Sequence, residues 1–180
     1  MTDERLTQPA IFVVIDMQSN LAPAMDSYAE VRDVVAKLTQ AAQILNIKHV
    51  ITEQNPKGLG HTDPSLLSQN AVVLTKTTFS AAQSESFLAS LANTNTCHVY
   101  LCGMESHVCV YHTANELCNL GYQVTVIADA VCSRKKENKR LAMDQLRANG
   151  VQVCASETVM FAWLNSCEHP RFREVLALIK

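Results

Sequence analysis

Six short runs of apolar, largely β-branched residues punctuate the chain: Ile11 to Ile15, Lys48 to Thr52, Ala71 to Thr75, Val99 to Cys102, Gln123 to Ala128 and Val151 to Cys154. Runs of this length suit strands buried on both faces. Between them apolar residues recur at helical spacing, as in Val31, Val34, Val35, Leu38 and Ala42, or Leu141, Met143, Leu146 and Ala148. Parallel strands need crossovers of this kind, and helices so placed cover both faces of a sheet. The pattern therefore predicts a three-layer α/β/α domain around a six-stranded parallel sheet. Gly121 and Gly150 each stand between a helical pattern and a strand, where a helix C-terminus favours glycine.

Composition narrows the function classes. With 180 residues, the pattern predicts one domain over residues 1–180. The chain is 48% hydrophobic and 18% charged, and no apolar run approaches the roughly 18 to 20 residues that span a bilayer. The first ten residues, MTDERLTQPA, read as neither a secretory signal nor a transit peptide. Fifteen Lys and Arg against seventeen Asp and Glu leave no electrostatic footprint for nucleic acid over the whole surface, so neither membrane nor nucleic acid is expected as a partner. The basic run Arg134 to Arg140 reads as a solvated helix start. Seven cysteines without a C-x-x-C pair fit reduced thiols in a cytoplasmic protein, rather than a disulfide framework or a thiolate zinc site.

The candidate chemistry lies where strands end. Asp16 follows IFVVI, Lys76 follows VVLT, and Cys109 lies just beyond the VYLC strand, near the bend into a helix marked by Val108, Val110, Ala114 and Leu117. In a parallel sheet these three ends share one edge, where ligands bind. A nucleophilic thiol needs a base and a nearby cation, and Asp16 and Lys76 supply those types. A thiol in a first helical turn is expected to have a lowered pKa. The segment Glu53 to Gln69 predicts a long loop with one helical turn, forming a pocket wall. His107 and His112 flank the cysteine but are not spaced to face it.

On the residues IDMQ at 15 to 18, TEQNPKGLGHT at 52 to 62, KTTFSA at 76 to 81, and GMESHVCVYHTANELCNLGYQVTVIADA at 103 to 130, the chain resembles the isochorismatase-like cysteine hydrolases, within them the isochorismatase-domain-containing group. The likeness continues through SET at 156 to 158 and EHPRFREVLALIK at the end. It implies strand order 3-2-1-4-5-6, a catalytic set of Asp16, Lys76 and Cys109, and a cis peptide between Met104 and Glu105. It also implies an oxyanion hole from the backbone N–H groups of Glu105 and Cys109. The implied reaction is hydrolysis of a small amide or imide through a thioester, with no cofactor.

Two departures from the family pattern matter. Where related nicotinamidases carry metal ligands after the second strand, this chain has Glu53, Gln54 and Asn55, and His61 with Asp63 fall short of a zinc ligand set, so no metal is expected. Glu105 is larger and more acidic than the small residue usual in that slot, and its side chain either faces the site mouth or bonds locally. The apolar pieces at 159 to 164 and 175 to 179 fit either packing between subunits of a homo-oligomer or plain core packing. Three functional classes stay open: a small-molecule hydrolase, a non-catalytic partner-binding or assembly module on the same fold, and nucleic-acid binding through Arg134 to Arg140.

Overall fold

The computed structural model describes residues 10–92 and 98–180. Its strands are β1 (Ala10–Ile15), β2 (Lys48–Gln54), β3 (Ala71–Lys76), β4 (His98–Met104), β5 (Gln123–Cys132) and β6 (Gln152–Cys154). They form one sheet in the order β3-β2-β1-β4-β5-β6, every neighbouring pair parallel. Its helices are α1 (Tyr28–Ile44), α2 (Pro56–Leu59), α3 (Glu85–Ala92), α4 (Cys109–Asn119), α5 (Lys136–Ala148), α6 (Ser156–Leu164) and α7 (Phe172–Ile179).

Strand alternation sorts the helices into two layers. Ile11, Val13 and Ile15 pack with Phe87 and Leu91 of α3, Val110 and Leu117 of α4, and Met143 and Leu146 of α5. Phe12 and Val14 point the other way, into Val35 and Leu38 of α1, Met160 and Leu164 of α6, and Val175 of α7. All of these are 5% exposed or less, and each such large side chain contributes roughly 1.5 to 3 kcal/mol by leaving water. The apolar C-terminal pieces therefore have an intramolecular role, closing the second core.

The predicted boundaries shift in places. β5 runs four residues beyond Ala128, and a register irregularity between β4 and β5 brings Val131 and Cys132 beside Gly103 and Met104. Leu141 is 45% exposed, so the buried face of α5 is Ala142, Met143 and Leu146. Val151 precedes β6 instead of opening it. Glu53 and Gln54 belong to β2, not to the loop, because their side chains find polar partners inside the fold that a sequence pattern does not display. The loop after them holds α2, a short 3-10 turn at Pro64–Leu66, and an antiparallel bridge from Thr62 to Gln18.

Candidate active site

The carboxyl ends of β1, β2 and β3 and the first residue of α4 converge on one buried polar cluster. Asp16 follows β1 directly with φ of 50°, a left-handed conformation that Asp tolerates better than most residues. Its amide donates to the Thr52 carbonyl at 3.0 Å, and the Thr52 hydroxyl donates to Asp16 Oδ1 at 2.7 Å. Lys76, the last residue of β3, donates from Nζ to Asp16 Oδ2 at 2.6 Å. The same ammonium lies within 3.2 Å of Gln54 Oε1 and of the Thr78 and Phe79 carbonyls. Cys109 donates from Sγ to Gln54 Oε1 at 3.0 Å. The structure thus gathers all three sequence-derived candidates, with Asp16 fully buried and Lys76 and Cys109 each 6% exposed.

Gly103 makes this approach possible. It pairs with Ile15, the residue before Asp16, at φ of 109°, and a Cβ there would collide with the Ile15 carbonyl. Only glycine lets β4 lie this close to the end of β1. The next peptide bond but one, Met104–Glu105, is cis. Among the described residues, the amides of Glu105 and Cys109 have no hydrogen-bond acceptor, whereas those of Ser106, Val108 and Val110 do. The Glu105 carboxylate is occupied: its Oε2 accepts from the Arg134 amide at 3.1 Å and the Arg134 guanidinium at 3.0 Å.

Electrostatics correct the expected thiol. Burial pushes the Cys109 pKa up to about 12, the Asp16 charge adds to the rise, and Lys76 opposes it without prevailing. Lost hydration is the largest influence on this thiol, which opens α4. Burial likewise holds Asp16 above the ordinary carboxylate range, against the pull of Lys76, Thr52 and Cys109. The resting cluster is a neutral thiol beside a carboxyl group of raised proton affinity.

The roles of several further residues leave no trace in the sequence pattern. Gln54, weighed only as a missing metal ligand, accepts from both Lys76 and Cys109; its place at a strand end was the available signal. Gln18 is fully buried and clamps the loop, donating to the Gln54 and Gly60 carbonyls at 3.0 and 2.6 Å and accepting from the Gln54 amide at 2.8 Å. Glu53 accepts from the Thr62 amide at 2.7 Å, the Thr62 hydroxyl at 2.8 Å and lies 3.0 Å from His61 Nδ1. Asp63 accepts from Ser65 and from the Tyr28 hydroxyl. Among the described residues, no group of three or more His, Cys, Asp or Glu side chains is placed to hold a metal ion. His107 lies 3.0 Å from Ser133 Oγ and 3.3 Å from Asn138 Nδ2, so it braces the loop before α4.

A cleft of about 440 Å³ opens beside Lys76, lined by Asn55 to Lys57, Thr75 to Thr78, Gln83 and Ser84. A second cavity of about 420 Å³ lies at the end of β5 and is lined by neither Asp16, Lys76 nor Cys109. Of the three residues Asp16, Lys76 and Cys109, the first cleft is lined by Lys76 alone.

A three-layer α/β fold with a polar cluster beyond the carboxyl ends of its strands places the site where open α/β sheets bind small ligands, and sequence comparison gives the family. Residues 10–158 match the Isochorismatase domain, so the chain belongs to the isochorismatase family. Isochorismatase domain-containing protein 2 from Danio rerio is 36% identical over 174 residues, covering 96% of this chain and 88% of the relative. Among solved structures, the MAR1 ribonuclease from Caenorhabditis elegans is 34% identical with a TM-score of 0.91, covering 96% of this chain and 91% of that one. YcaC from Escherichia coli, described as an octameric hydrolase of unknown specificity, shares the fold at 21% identity and a TM-score of 0.82, covering 94% and 92% of the two chains.

Proposed function

We propose that this protein is a cytoplasmic cysteine hydrolase of a small amide or imide, working as a single domain within a homo-oligomer. The observation that carries the reading is the shared network of Asp16, Lys76 and Cys109, linked by the 2.6 Å contact of Lys76 with Asp16 and the two hydrogen bonds to Gln54. Asp16, with its raised proton affinity, takes the thiol proton as sulfur attacks the substrate carbonyl carbon. Lys76 offsets the negative charge that this transfer leaves on the sulfur. The carbonyl electron pair moves to oxygen, where the unoccupied amides of Glu105 and Cys109 supply donors. Collapse breaks the C–N bond, the amine leaves with the proton held by Asp16, and a thioester remains on Cys109. Asp16 then deprotonates water, which attacks the thioester carbonyl; the C–S bond breaks, the acid departs, and Asp16 returns the proton to the Cys109 sulfur.

The test is turnover of a panel of small amides, imides and esters. Wild type hydrolyses at least one of them, and Cys109→Ala lowers that rate by at least about a thousandfold with its circular dichroism unchanged. Equal rates in the two proteins would reject the nucleophile.

A second reading follows from the C. elegans neighbour described as a ribonuclease. On that reading the chain cleaves RNA, and single-stranded RNA incubated with wild type and with Cys109→Ala separates the two: cleavage surviving the substitution favours a site other than the thiol.

A further inference from the structure

The cavity at the end of β5 has its own chemistry. Its lining includes Lys136, Lys139, Arg140 and Arg147 against Asp26 and Asp144, four cationic groups to two carboxylates. Asp144 is already shared by Arg140 at 2.8 Å and Arg147 at 3.4 Å, and Asp26 accepts from the Ser27 hydroxyl at 3.0 Å. The ammonium groups of Lys136 and Lys139 form no ion pair or hydrogen bond with any described residue. Lys139 is half-buried, and its lost hydration lowers its affinity for the proton although Cys132, Asp129 and Asp26 lie near enough to oppose this. An ammonium that has surrendered water without a contacting counterion gains from an anion beside it.

Size and spacing select the anion. Lys136 and Lys139 are one helical turn apart on α5, so their ammonium groups rise from the same side of the helix, suiting a dianion better than a single carboxylate. A volume of about 420 Å³ accommodates a phosphate together with a small organic body. Ser133 stands in the same wall.

That wall is also bolted to the loop before Cys109. Ser106 donates from its amide and its hydroxyl to the Cys132 carbonyl at 2.8 and 2.9 Å, His107 meets Ser133, and Arg134 holds Glu105. We propose that the cavity binds a small phosphate monoester through Lys136 and Lys139, and that occupancy is felt at Cys109 through residues 132–138. Binding stands independently of the hydrolase reading, as does the coupling when it is read as thiol accessibility instead of turnover.

Calorimetric titration of the full chain with phenyl phosphate tests the first part, with phenol as the neutral control and a single-stranded RNA oligomer as a second source of phosphate. Saturable binding of phenyl phosphate, no binding of phenol, and weakening by at least about tenfold in Lys139→Gln and in Lys136→Gln support the site. No saturable binding to wild type, unchanged affinity in both variants, or saturation by RNA alone would overturn it. For the second part, the rate of Cys109 alkylation by iodoacetamide, followed by peptide mass spectrometry, changes by at least about fivefold when phenyl phosphate saturates wild type but not Lys139→Gln. Binding without any change in that rate rejects the coupling.

Discussion

Asp16 and Glu53 are carboxylates at the carboxyl ends of the neighbouring strands β1 and β2, exposed by 0% and 5% respectively, yet their protons are held in opposite ways. Around Asp16 burial prevails, and its pKa lies above the ordinary value despite Lys76 and Thr52. Around Glu53 burial also raises the pKa, but the Thr62 amide, the His61 ring and the Thr62 hydroxyl together lower it further than burial lifts it. The two differ in depth among protein atoms as well as in donors: lost hydration outweighs the partners of the deeper Asp16, and the Thr62 and His61 donors outweigh it at the shallower Glu53. The first is left able to accept a proton, and the second is locked as a loop anchor.

The sharpest way to break this contrast is to exchange the roles by substitution. Asp16→Asn, unable to accept the thiol proton, loses at least about a thousandfold in turnover, a barrier change of about 4 kcal/mol. In wild type, kcat/KM rises with pH through an apparent pKa above the ordinary aspartate value, and a limb at or below that value contradicts the raised affinity of Asp16.

A third buried group extends the comparison. His49, 2% exposed and stacked on Phe12, has no hydrogen-bond partner for its Nε2 among the described residues, and burial lowers its pKa to about 4 from 6.5. Between those values the unfolded chain binds a proton that the folded chain refuses, so stability falls as pH drops from 6.5 toward 4, by about 3 kcal/mol in all. Denaturant melts of wild type and His49→Phe across that window measure it. A matching acid slope in the variant assigns the loss elsewhere.

Glu53→Ala costs about 2 kcal/mol by leaving the buried Thr62 amide without its acceptor. Because the folded pKa of Glu53 is depressed, its contribution is full above the unfolded value of 4.5 and fades as pH falls through the folded one. Paired melts at neutral and acid pH show the destabilisation shrinking as pH drops. Gln54→Ala has the smallest effect, about tenfold in kcat/KM, because it removes an acceptor that orients Lys76 and Cys109 and no reacting group. A loss as large as that of Asp16→Asn would give Gln54 a part in the reaction itself.

What was legible in the sequence follows from the kind of interaction involved. Hydrophobic patterning marks strands, so the sheet and its layers were visible, as was the meeting of Asp16, Lys76 and Cys109, since parallel strands share a carboxyl edge. The strand order came from family resemblance, because periodicity carries no information about which strands are neighbours. Gln54 and Glu53 were hidden because side-chain partners in a folded loop leave no periodic trace. The thiol was misjudged for a related reason. A helix N-terminus is visible in sequence, whereas the burial that raises the thiol pKa and the placement of Asp16 beside it depend on packing.

The central claim is that Cys109 carries the acyl group. Brief mixing with a turned-over amide, acid quenching and peptide mass spectrometry measure this directly. The expected result is an acyl mass on the peptide containing Cys109, lost on treatment with hydroxylamine and absent from Cys109→Ala. Hydrolysis of that amide at the wild-type rate by Cys109→Ala, with no acyl group on the wild-type peptide, would contradict it.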